Sequence, residues 1–206
     1  MQSARNMVAR AALCTLLCTS AGDIGAQPTP EAAAEALVRQ VWFEGLPLDR
    51  AAALGPAAGA RLAGMLADPA EAAHHANVVM ALGVCDCRSS FEVLARFSAL
   101  LTSGADPHHA RAARLAVPHA MGLLARRDAR ALAWLESRAA TLTPGPGDPA
   151  VRSRHTAVIQ GLSLSRSPRA TTLLGELEAA ASARGDTAMA RRAAQARARA
   201  EAGPQY

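Results

Sequence analysis

Apolar residues along this chain recur at three- and four-residue spacing and rarely at every second position. Val93, Leu94, Phe97, Leu100 and Leu101 form one broad stripe; Leu132, Trp134 and Leu135 form another. That spacing follows the 3.6-residue turn of a helix and not the alternation of a strand. It predicts helices over residues 30–43, 47–54, 59–67, 90–101, 128–142, 168–183 and 187–201. Three more are opened by Asp68-Pro69, Asp106-Pro107 and Asp148-Pro149, because Asp caps a helix start and Pro suits its first turn. Gly185 then Asp186 read as the end of one helix and the cap of the next. Pro118 falls inside the helix after Asp106-Pro107 and predicts a kink there. Pro144-Gly145-Pro146-Gly147 reads as a long inter-helix loop.

A longer period overlies the helical one. Gly83, Gly122 and Gly161 are each 39 residues apart, and Arg88, Arg127 and Arg166 each follow by five. A fixed period of this size marks an array of helical units. The glycines are read as the ends of the helices opened by Asp-Pro. The expected fold is all-α: an α-solenoid of antiparallel helix pairs with an N-terminal capping helix.

The order short helix, Asp-Pro, helix with Ala81-Leu82-Gly83, then Arg resembles HEAT repeats of the bacterial type. Asp68-Pro69 and Asp148-Pro149-Ala150-Val151-Arg152 carry the likeness best, with Met121-Gly122 departing where Leu-Gly is expected. The resemblance implies about four repeats over residues 56–201, capping helices over 27–55, and a tail at 202–206. It implies a scaffold or adaptor whose second helices line a concave binding surface. It also implies that Arg88, Arg127 and Arg166 bridge neighbouring repeats, with a ligand-facing Arg ladder as the alternative.

Composition narrows the chemistry. Hydrophobic residues make up 50% of the 206 residues but aromatics only 3%, so Ala and Leu build the core. The chain has no Lys, which removes P-loop, Schiff-base and Ser-x-x-Lys chemistry. Residues 1–26 read as a signal peptide, with Arg5 and Arg10 before the apolar stretch 11–19 and small residues before Gln27. The stretch is too short to span a bilayer. A periplasmic or secreted protein is expected, without a transmembrane segment in the mature chain. Residues 27–110 carry five Arg against nine acidic residues, and residues 111–206 carry 15 against seven. The basic half favours an anionic partner.

No catalytic constellation emerges, so no enzyme and no cofactor are expected. The His residues come as His74-His75, His108-His109, His119 and His155, without chelating spacing. Arg111, Arg114, Arg152 and Arg154 are the candidate partner-binding residues, an anion-receptive patch on the second helices. Cys85-Asp86-Cys87 holds the only cysteines left after signal cleavage. It admits a disulfide, free or intermolecular thiols, a soft-metal site or redox chemistry. Trp42-Phe43 is either core packing or an exposed anchor. The function expected is a non-enzymatic scaffold or adaptor in the bacterial envelope that binds an acidic protein partner through a basic helical surface. Nucleic acid is not an expected partner. The alternative is a metal- or redox-responsive protein using Cys85 and Cys87.

Overall fold

Short polar side chains set where the helices begin. The Thr29 hydroxyl accepts from the Ala32 amide, and the carboxylates of Asp68, Asp128, Asp148 and Asp186 accept from the amides of Ala70, Arg130, Ala150 and Met189. Each satisfies an N–H that a first helical turn leaves without an intrahelical acceptor. The computed structural model describes residues 28–101, 107–143 and 148–202, and these hold ten α-helices and one 3-10 helix, with no strand. The helices are α1 (Pro30–Arg39), α2 (Leu48–Ala52), α3 (Pro56–Ala67), α4 (His75–Val84), α5 (Ser90–Leu100), α6 (Pro107–Leu124), α7 (Ala129–Ala139), α8 (Pro149–Ser165), α9 (Pro168–Ala183) and α10 (Thr187–Glu201). None is long and apolar enough to cross a membrane. The signal peptide expected at 1–26 and most of the expected tail lie outside the described residues.

Helices α4, α6, α8 and α10 contact one another in sequence, and α3, α5, α7 and α9 each pack on the helix that follows. Leu62, Leu82, Leu94, Met121, Leu135, Ile159, Leu162 and Leu174 are almost fully buried between them. At one end α1 packs on α3 and α4. Arg39 pairs with both Glu35 and Glu71, Arg61 reaches Glu35 at 2.8 Å, and the Asn77 amide donates to the Val38 carbonyl at 2.9 Å.

Three local expectations are corrected. Gly83 and Gly122 lie within two residues of the ends of α4 and α6, as expected, but α8 runs a full turn past Gly161. All three lie where the helices cross. A Cβ on Gly83 would come within 2.7 Å of the Ala120 backbone, and one on Gly161 within 2.3 Å of the Pro118 carbonyl oxygen. The glycines recur because backbones touch there, and small residues are what allow that approach. Asp68-Pro69 opens a 3-10 helix (Pro69–His74) before α4 begins at His75. The first helix stops at Arg39 and not at residue 43, and Gly45 turns the chain at positive φ. The aromatic pair divides: the Trp42 indole N–H donates to the Leu37 carbonyl at 2.9 Å, whereas Phe43 is 100% exposed. Helix α6 continues unbroken through Pro118.

Candidate functional site

Helices α5 and α7 are the walls of a basic cleft. At their N-terminal ends Arg130 on α7 joins them, with its guanidinium 4.8 Å over the Phe91 ring and 2.5 Å from the Glu92 carboxylate. Asp128 accepts from the same guanidinium at 2.8 Å and caps α7. Elsewhere α5 and α7 make few backbone contacts with each other. The space left between them is a cleft of about 570 Å³, floored by α6 and α8.

Four elements bring side chains into it. Leu101 follows α5; Arg114, Val117 and Pro118 come from α6; Trp134 and Arg138 from α7; and Val151, Arg154, His155 and Val158 from α8. Ser98, Thr141 and Thr143 put hydroxyls on the lining. No Asp or Glu lines the cleft among the described residues.

The arginines here differ from those that form ion pairs within the fold. Arg39, Arg61, Arg130, Arg169 and Arg197 each have a carboxylate partner. Arg114, Arg138 and Arg154 have none among the described residues. Arg114 Nη2 donates to the Leu101 carbonyl at 2.7 Å, while its buried Nε has no acceptor. The Arg138 guanidinium lies 5.1 Å over the Trp134 ring, a cation–π contact. Burial, then the charge of Arg154, holds His155 below the usual histidine range, against a smaller opposite pull from Asp186.

No family model, curated protein or solved structure matches the chain. Its site is therefore read from its own residues.

Of the four arginines singled out from the sequence, the fold brings Arg114 and Arg154 together. Arg111 is exposed outside the cleft, and Arg152 lines a separate crevice with Asp186 and Arg192 against α10. Arg138, Trp134 and His155 are site residues that the sequence reading passed over. One signal for Arg138 was present: it follows Trp134 by four residues, so the two share a helix face. The periodic arginines take three different places. Arg127 Nη2 donates to the Cys85 carbonyl at 2.5 Å, joining the α6–α7 turn to the α4–α5 turn. Arg88 is exposed, and Arg166 ends α8 in the left-handed region, half-buried beside His119, Gln160 and Arg199.

Cys85 and Cys87 are joined by a disulfide between α4 and α5. Both are buried, and Gly59 on α3 lies directly against Cys87: a Cβ at Gly59 would fall 2.8 Å from the Cys87 Cβ. No group of three or more His, Cys, Asp or Glu is placed to hold a metal ion among the described residues.

Proposed function

We propose that this chain is a non-enzymatic interaction module of the bacterial envelope, secreted or periplasmic, that holds an acidic segment of a partner protein in the α5–α7 cleft. In this reading the fold is a short α-solenoid of about four HEAT-like repeats, capped by α1 and α2. The sequential packing of α4, α6, α8 and α10 supports it. The single observation that carries the reading is the convergence of Arg114, Arg138 and Arg154 from three helices, uncompensated by any described carboxylate. Three cations in one recess repel each other, and an anion relieves that repulsion.

The test immobilises the chain from Gln27 and exposes it to envelope extract. A retained protein should be released at high salt and lost in the Arg114→Glu/Arg154→Glu variant. It should persist in the Arg111→Glu/Arg152→Glu variant. Retention that ignores the first pair of reversals overturns the reading. Circular dichroism of each variant separates lost binding from lost fold.

A second reading, redox responsiveness, is favoured by the disulfide between residues only two apart. The Arg127 bond to the Cys85 carbonyl would pass a change there to α6 and α7. Thiol titration of the isolated protein with and without a dithiol reductant tests it. Two free thiols in protein isolated without reductant would remove it.

A further inference from the structure

Resting on the cleft reading above, we infer that the cleft recognises a short extended peptide in which an apolar side chain stands beside carboxylates. A lining of mixed character sets this requirement: α6, α7 and α8 each contribute one cation and at least one apolar side chain. The cations are Arg114, Arg138 and Arg154; between them lie Val117, Val151, Val158 and the Trp134 ring. A purely acidic segment leaves the apolar side chains wet. A purely apolar ligand desolvates three guanidiniums without giving them partners, which is unfavourable. Only a ligand with both features satisfies the lining.

The arginines specify carboxylate geometry. The Arg138 guanidinium lies 5.1 Å from the centre of the Trp134 ring, and its donor fork matches a planar two-oxygen acceptor. Arg114 is tethered by one bond to the Leu101 carbonyl and retains an unpartnered Nε. A second carboxylate that draws this side chain forward gives that donor an acceptor.

The rim favours a peptide over a compact ion. Ser98 and Thr143 carry hydroxyls able to accept from a peptide N–H or to donate to a peptide carbonyl, and the Thr141 hydroxyl, which donates to the Arg138 carbonyl at 2.8 Å, can accept. At about 570 Å³ the space suits a drug-sized ligand. That is far more than inorganic phosphate or one free carboxylate fills.

Trp134 is the built-in reporter, and a Trp42→Phe background leaves its emission as the sole indole signal. The probes are acetyl-Phe-Glu-Leu-Glu-amide, the same peptide with Gln for both Glu, phenylacetate and inorganic phosphate. The acidic peptide should give a saturating change, matched by calorimetry on the unaltered chain. The Gln peptide should bind at least about tenfold more weakly, as should the acidic peptide to Arg138→Gln. Equal binding of the Gln peptide overturns the inference. Phenylacetate or phosphate binding as tightly as the peptide also overturns it and reassigns the cleft to a free small anion. If no peptide binds while partner retention still depends on Arg114 and Arg154, this inference fails and the functional reading stands. If that retention fails too, both fall.

Discussion

Gly122 on α6 and Gly161 on α8 meet backbone to backbone: a Cβ on Gly122 would lie 2.1 Å from the Gly161 carbonyl oxygen. Neither backbone can yield without separating the two helices that floor the cleft. Gly122→Ala should therefore cost about 3 kcal/mol of stability, despite the higher helix propensity of Ala. Gly64, also within a helix, has no atom within 4 Å of its Cβ position. Gly64→Ala should stabilise by about 0.5–1 kcal/mol. Urea denaturation of the two variants compares them directly, and a Gly122→Ala midpoint at or above the parent would refute the close contact.

His155 makes both stability and binding depend on pH. Its depressed folded pKa means that its contribution is fully present above the unfolded value of about 6.5 and is lost as pH falls through the folded pKa. A bound anion reverses the local balance by favouring the imidazolium. Anion binding should then take up protons and tighten as pH falls from about 7.5 to about 5.5, above the range in which ligand carboxylates titrate. Titrations across that range on the parent and His155→Gln test this; a parent affinity independent of pH excludes the coupling.

A separate acid response should come from the capping end. The Arg39 guanidinium, bonded to Glu71, holds that carboxyl below the usual glutamate range against the effect of burial. Arg130 does the same for Asp128 and adds to a backbone hydrogen bond at Glu92. Depressed carboxylates stabilise above their unfolded values of about 4 and lose that contribution as pH falls through the folded ones. Thermal melts of Glu71→Gln below about pH 4.5 should fall less steeply with pH than those of the parent. Parallel curves would show that the pair contributes nothing.

The Cys85–Cys87 bond encloses only two residue steps, so little chain entropy is at stake. Its reduction should lower global stability by about 1.5 kcal/mol, well under the cost expected for a bond closing a long loop. The change should concentrate where Arg127 and Gly59 touch the pair. Hydrogen exchange after dithiol treatment should quicken at the α4–α5 turn and leave α9 and α10 unchanged. Uniform quickening through all helices would contradict this.

Local chemistry was the legible part of the chain. Asp148 before Pro149 announces a helix start because the cap forms within three residues, and the described structure contains that bond. The 39-residue spacing was equally visible, but its meaning was not. Gly122 reads only as a helix stop until a second backbone is seen against it, and that neighbour lies 39 residues away. The same distance in sequence explains the partial view of the site. Arg114 and Arg154 stand 40 residues apart and converge because α6 packs on α8, whereas Arg152, two residues from Arg154, faces α10. Arg138 carried its local sign in Trp134, but nothing nearby distinguished it from an ordinary surface arginine. That distinction is a shared cleft with Arg114 and Arg154 and no described carboxylate, a property of packing.

The junction at Arg130 gives the cleft a mechanical character. Its walls are joined where Arg130 meets Phe91, Glu92 and Asp128, and Arg138 lies about two turns along α7 from that junction. From Arg130 to Arg138 the helix rises about 12 Å, so a tilt of about 5° at the junction moves Arg138 by about 1 Å. The Arg130 junction thus acts with the packing of α7 on α6 and α8 to set the width of the mouth. Aperture can then be tuned at the junction by a substitution that touches no ligand, leaving the gripping surface intact.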